Sequence, residues 1–274
     1  MTTLLLGATG QLGSAVKVAW PKPHELLSPP HDLVDITYQG DVGPWVTGKN
    51  PALIINCAAW TSVDGCEKDP DRAMAVNAKG ARHLAEVAKE LNAWMIQIST
   101  DQCEGDGAKG QYAQSKLLAE SEVRRLLPEA HTILRLSCIL SAHRNGWLAY
   151  VVRNAMRGLS PAVSCQIMAP VAVESVVRAI FHAIEHRSVG TFSVMDTPVV
   201  SRHRLAALAI KALGSPVLPN EIPPILSAAP RRVDSVMTTP MLIESAPWES
   251  GLHLKVRDIL NRIRIRIRDI ADGS

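Results

Sequence analysis

Tyr112 and Lys116, in Gln111-Tyr-Ala-Gln-Ser-Lys116, stand four residues apart. On a helix that spacing puts both side chains on one face. A phenol titrates near pH ~10 in water, so exchanging its proton at neutral pH requires a downward shift of about three units, on the order of 4 kcal/mol. A neighbouring ammonium stabilises the phenolate and supplies a shift of that sign. Such a pair can hand a proton to a carbonyl oxygen while the carbon is being reduced. A hydroxyl that could hold the same oxygen lies upstream in Ser99-Thr100-Asp101, at the end of an apolar run; Thr100 is the first candidate and Ser99 the second. Tyr-x-x-x-Lys also occurs on ordinary amphipathic surface helices, so its meaning depends on what accompanies it.

What accompanies it is a glycine turn. Gly7-Ala-Thr-Gly-Gln-Leu-Gly13 follows the first apolar run and opens a helix-like stretch. One glycine permits the tight turn, one lets backbone N–H groups approach a pyrophosphate, and one lets the helix pack closely on the strand. Phosphates bound there meet free N–H groups and the positive end of the helix dipole. The combination predicts a nicotinamide dinucleotide held by Gly7, Thr9, Gly10, Gln11, Leu12 and Gly13, with Lys116 on the nicotinamide ribose and Tyr112 beside the ring. An acid near the end of the second strand would bind a ribose 2′-hydroxyl and favour NAD. Here the stretch Leu26 to Thr37 reads LLSPPHDLVDIT, with Pro29, Pro30 and His31 where the acid would stand and Asp32 slightly late. NADP(H) is therefore favoured over NAD(H), with His31 near the ribose and Asp35 and Ile36 bordering the adenine.

The elements that must position these groups alternate. Strands are predicted at Thr3–Leu6, Ala52–Asn56, Trp94–Ser99 and Thr132–Leu136, and helices at Gln11–Ala19, Ala73–Leu91 and Tyr112–Leu127. Such alternation implies an α/β fold with a Rossmann-type, doubly wound parallel sheet joined by right-handed crossovers. Beyond it, a helix is expected over Val171–His186, a strand over Gly190–Met195 and a helix over Arg204–Leu213. Pro216–Pro230 is proline-rich and reads as a loop. In the tail, Val256, Leu260, Ile263, Ile267 and Ile270 form one helical stripe, so the run of arginines reads as the wet face of a packed terminal helix. The expected organisation is a cofactor domain over residues 1–140, with later contributions from about 164–200. A smaller C-terminal substrate-binding lobe comes mainly from 141–163 and 201–274.

Composition narrows the class. With 47% hydrophobic and 20% charged residues the chain should fold. A formal charge of +3 and 4% aromatic residues give neither the basic surface nor the stacking platforms of a nucleic-acid binder. The five cysteines (Cys57, Cys66, Cys103, Cys138, Cys165) contain no C-x-x-C pair, which argues against a disulfide framework or a metal site and for a reducing compartment. MTTLLLGATG has no basic n-region and no apolar run reaches bilayer length, so a cytoplasmic location without membrane contact is expected.

On these residues the chain resembles the dTDP-4-dehydrorhamnose reductases, extended members of the short-chain dehydrogenases/reductases. The resemblance rests on Gly7 to Gly13, on Asn56-Cys-Ala-Ala-Trp-Thr-Ser-Val-Asp64 with Glu67, on Val76-Asn-Ala78 and on Ile98-Ser-Thr-Asp101. Pro230-Arg231 with Ser235, and Trp248 with Gly251-Leu252, extend it toward the C-terminus. It implies catalytic roles for Thr100, Tyr112 and Lys116, and a cofactor bordered by Cys57, Ala58, Ala59 and Trp60. It also implies reduction of a 4-keto group on a deoxyhexose carried by a nucleoside diphosphate, and leaves a homodimer open. The chain departs from the family pattern in the shorter loop Gln102–Gly110, in the partial match of Val163–Pro170 and in Leu136–Leu140, which lacks a tryptophan. Two other readings stay open on sequence: a reductase of another carbonyl compound, and a non-catalytic cofactor-binding subunit that regulates a partner.

Overall fold

The computed structural model describes residues 1–104, 109–143, 146–196 and 199–222. The chain runs β1 (Thr3–Leu6), α1 (Gln11–Ala19), β2 (Leu26–Leu27), α2 (Gln39–Lys49), β3 (Leu53–Asn56), α3 (Val63–Lys68), α4 (Pro70–Ala73) and α5 (Gly80–Glu90). It continues through β4 (Trp94–Thr100), α6 (Gln111–Leu126), β5 (His131–Leu136), β6 (Ile139–Leu140), α7 (Trp147–Met156), β7 (Ala162–Ser164), β8 (Ile167–Met168) and β9 (Val171–Ala172). Last come α8 (Val173–His186), β10 (Gly190–Val194), β11 (Val200–Ser201), α9 (Arg202–Ala212) and β12 (Asn220–Ile222).

Six strands form one sheet in the order β10-β5-β4-β3-β1-β2, every pairing parallel. Strands buried on both faces read as continuous apolar runs, and all four residues of β1 and of β3 are buried. One face packs on α2, α5 and α6 through Val42, Val46, Leu84, Ala88 and Val123. The other packs on α1 and α8 through Leu12, Val16, Val176 and Ile180. A separate core joins α7 and α9 through Leu148, Val152, Leu205 and Ala209. β2 and β3 flank β1 on opposite sides, so the order reverses between β1 and β3. A crevice beyond the carboxyl ends of the strands at such a point is where open α/β sheets bind ligands.

Several elements differ from the sequence expectation. The helix expected over residues 73–91 is α4, a π-helical turn over Met74–Lys79 and α5 in succession. Val171 and Ala172 pair with β6 before α8 begins. Part of the predicted 216–230 loop is β12, which pairs with β7; residues 223–230 lie outside the described residues. The predicted terminal helix and the Pro230 to Ser235 and Trp248 to Leu252 segments also lie outside them. α2 and α7 were not anticipated. α2 contains Gly40, Gly43, Pro44 and Gly48 and forms because Val42 and Val46 are fully buried against the sheet, burial overriding weak propensity.

Candidate active site

The glycine turn joins β1 to α1 at the point where the strand order reverses. Gly7 has φ +72°, and a Cβ there would stand 2.6 Å from the Ala58 nitrogen. A Cβ on Gly13 would lie 2.1 Å from the Gly7 carbonyl oxygen, so helix and turn can approach only as glycines. Gly10 differs: its Cβ would meet only the Gly7 oxygen, at 3.2 Å, and otherwise face open space. α1 begins at Gln11 with no side-chain cap and no acid in its first turn, which leaves its first N–H groups available to an anion. That cradle fits a dinucleotide pyrophosphate. Gln11 turns away from it, its amide donating to the Ile139 carbonyl at 2.8 Å.

Beside the turn lies a cleft of about 400 Å³. Gly10, Gln11, Leu12, Cys57, Ala58 and Ala59 line it together with Thr100, Tyr112 and Lys116. The structure thus brings together the three residues on which the sequence placed proton transfer. Thr100 ends β4 and is 6% exposed; its hydroxyl donates to the Asp101 carboxylate at 2.9 Å. Ser99 also lines the cleft but commits its hydroxyl to Glu120 at 2.6 Å, which favours Thr100 of the two candidates. Lys116 is 2% exposed and donates to the Ile98 carbonyl at 2.6 Å.

Helix α6 carries Tyr112 and Lys116 and is fixed at three points. Glu67 of α3 accepts the Gln111 backbone N–H at 2.6 Å, capping a helix that has no side-chain cap and no acid in its own first turn. Asn77, buried in the π-helical turn, accepts the Trp60 N–H at 2.8 Å and donates to the Ser115 hydroxyl at 3.0 Å; Ser115 in turn donates to the Tyr112 carbonyl at 2.8 Å. π-helical turns are often found at functional sites. One turn below Lys116, the fully buried Glu120 accepts from both sides of the Arg135 guanidinium, at 2.9 and 2.7 Å, and from Arg124 at 3.1 Å.

Burial raises the Tyr112 pKa, and the Cys103 and Asp101 charges add to it; a hydrogen bond from Thr100 works in the opposite direction. In the ligand-free cleft the phenol is thus shifted upward, and the expected lowering is not present before a cofactor binds. Lys116 makes its hydrogen bond to the Ile98 carbonyl, and burial lowers its own pKa. The ligand-free phenol therefore stays protonated at neutral pH, the form an acid needs before it gives up a proton. Cys57 lines the cleft with its thiol pushed up to about 12 by burial, which removes it as a nucleophile.

Other predicted contacts fall around the cleft rather than on its wall. Thr9 is exposed on the turn and His31 is exposed after β2. Asp35 accepts from the Thr37 N–H and hydroxyl at 2.9 and 2.8 Å. Ile36 is 6% exposed in the core. The Trp60 ring lies under Arg72, 4.7 Å from its guanidinium. Sequence reading missed Trp147, Gln166, Met168 and Arg202, which also line the cleft. It also gave Asn77 and Glu67 no role, although a polar Asn on the apolar face of a helix is a visible signal.

The RmlD substrate binding domain model matches residues 1–260. A dTDP-4-keto-6-deoxy-D-glucose reductase of Streptomyces niveus is 28% identical over 82% of this chain and 82% of its own length. A dTDP-4-dehydrorhamnose reductase of Streptomyces griseus is 31% identical, and that match spans 55% of this chain and 54% of the relative. Among solved structures, the dTDP-4-dehydrorhamnose reductase of Bacillus anthracis in complex with NADP superposes with a TM-score of 0.84 at 26% identity, covering 95% of this chain and 98% of that one. With the parallel sheet, the glycine turn and the Thr-Tyr-Lys cleft, these matches place the chain in the RmlD substrate-binding-domain family, the dTDP-4-dehydrorhamnose reductases among the NAD(P)H-dependent extended short-chain dehydrogenases/reductases.

Proposed function

We propose that this chain reduces the 4-keto group of a deoxyhexose linked to a nucleoside diphosphate, with NADPH preferred over NADH. The observation that carries the reading is the meeting of Thr100, Tyr112 and Lys116 in one cleft that opens at the glycine turn. The Streptomyces niveus relative's name supports a 4-keto sugar, and the NADP complex of the Bacillus anthracis relative supports the cofactor. The reduced nicotinamide, when bound, supplies the hydride. Gly7, Gly10 and Gly13 would hold its pyrophosphate against the first turn of α1, with Ala58 and Ala59 beside it. With a ketone bound, the Thr100 hydroxyl would turn its one proton from Asp101 to the keto oxygen. Tyr112, protonated, passes its proton to that oxygen as the carbon is reduced, giving the alcohol. Lys116 has three donors and uses one on Ile98, which leaves two for a ribose hydroxyl and the forming phenolate. The described elements within 146–163 and 201–222 would cover the sugar nucleotide as part of a smaller lobe.

The test is oxidation of NADPH and of NADH by the purified chain against nucleotide-linked 4-keto-deoxyhexoses and simple ketones. Turnover of the nucleotide-linked sugars, faster with NADPH, is expected. Turnover confined to simple ketones, or tight NADPH binding with no turnover at all, would overturn the reading.

A further inference from the structure

We infer that Arg202 is the substrate-side ligand for an anionic oxygen and sets the charge that the cleft accepts. This deepens the proposed function and rests on it for the identity of the cleft. Arg202 opens α9 directly after β11, and β11 pairs with β8. Its backbone N–H donates to the Gln166 carbonyl at 3.0 Å, which ties the start of α9 to the residue before β8. Its guanidinium lies 5.9 Å from the centre of the Trp147 ring, and all three residues line the cleft.

Arg124 and Arg135 are matched with Glu120 at 3.1 and 2.7 Å. Arg202 has no carboxylate within ion-pair distance among the described residues, and its Nε is sealed from water with no acceptor. An arginine desolvated in this way regains its lost hydration when a ligand brings a charged oxygen. Its planar fork suits two oxygens of a phosphate or carboxylate, and stacking on an aromatic face leaves the edges of that fork available. Lys116, the other cation among the described residues lining the cleft, is assigned to the ribose and the phenolate in the proposed mechanism.

Thr100, Tyr112 and Lys116 line the same cleft as Arg202, so a substrate whose carbonyl sits at those residues can carry an anionic group to the Arg202 fork. Two sources supply that anion, the diphosphate of a sugar nucleotide or a carboxylate on the sugar. The family's dTDP-linked substrates favour the first.

Calorimetric titration of the full chain with dTDP, inorganic pyrophosphate and glucuronate tests the inference, with NADP⁺ titrated separately. Arg202→Met should weaken dTDP binding by about tenfold or more, the usual loss for a charge-assisted bond, while NADP⁺ affinity stays unchanged. Arg202→Lys keeps the charge but not the fork. It should fall between parent and Arg202→Met, and it carries the test if Arg202→Met melts early. A loss confined to glucuronate would keep Arg202 as the anion ligand and move the anion to the sugar. Equal affinity of parent and both variants for dTDP and glucuronate would overturn the inference. Failure of the reductase reading looks different: a parent that turns over no ketone but binds dTDP through Arg202.

Discussion

At the residue scale, the three glycines of one motif divide between two separable roles. Gly7 and Gly13 are required by the fold, because a Cβ at either would collide with backbone. Gly10 faces open space apart from one contact at 3.2 Å, so its bareness serves a ligand. Gly10→Val should therefore lower NADPH affinity by more than about tenfold, since a side chain blocks the backbone from the pyrophosphate. The melting temperature should stay within a few degrees of the parent. Fluorescence titration with a parallel melt checks both; unchanged NADPH affinity would remove the phosphate-cradle assignment. The residues of this turn and of Tyr112-x-x-x-Lys116 were legible because each motif is local, a few residues at a spacing that one strand end or one helix face dictates. Arg202, Gln166 and Trp147 were not legible. Their meeting depends on how β8, β11 and α7 close over the sheet, and no local pattern encodes that.

At the element scale, α6 is a lever whose placement sets the site, and two carboxylates hold it, the buried Glu120 and the half-buried Glu67. Glu120 repeats the four-residue step of Tyr112 and Lys116 along one helix face, so its inward direction was readable even though its partners were not. Burial alone would raise its pKa; the bonds from Arg135 and Ser99 and the charge of Arg135 outweigh this and hold it below its ordinary 4.5. A carboxylate with a depressed folded pKa contributes stability that is fully present above its unfolded value and is lost as pH falls through the folded one. Melting temperature should thus decline as pH drops below about 4.5. Glu120→Gln should flatten that decline and cost about 3 kcal/mol at neutral pH, because Arg135 is left partly buried with only Glu104, at 3.7 Å, as counter-charge.

Glu67 fixes the other end of α6. Glu67→Ala removes the only side-chain acceptor described for the Gln111 N–H, at a cost of about 0.5–2 kcal/mol for a lost cap. Because Tyr112 sits in that first turn, kcat should fall while NADPH affinity holds, and Glu67→Gln should restore part of the rate. A variant with parental kcat and only a lower melting temperature would reduce Glu67 to a structural cap. Neither tie was visible from spacing, because Glu67 and Gln111 are brought together by packing of α3 on α6. α2 escaped notice for a related reason: its glycines and Pro44 speak against a helix, and only the buried Val42 and Val46 make one.

At the scale of the whole molecule, alternating strands and helices declared the parallel sheet, and the sheet declared where a ligand must sit. Strand order reverses between β1 and β3, so the glycine turn and Cys57 to Ala59 stand at the mouth of one crevice. β4 ends in Thr100 at the same edge, and α6 crosses beside it. The second wall belongs to elements after residue 136, whose short strands carry too few residues for a periodic signal. The account requires this cleft to convert a ketone to an alcohol by a proton from Tyr112. Single-turnover reduction of a dTDP-linked 4-keto-6-deoxyhexose by the NADPH-loaded chain, parent against Tyr112→Phe, tests that requirement directly. Loss of one phenol oxygen should slow the step by about 10²–10⁴-fold, the usual contribution of a positioned general acid, with NADPH affinity and melting temperature close to the parent. A Tyr112→Phe chain that reduces the sugar at the parental rate would contradict the account.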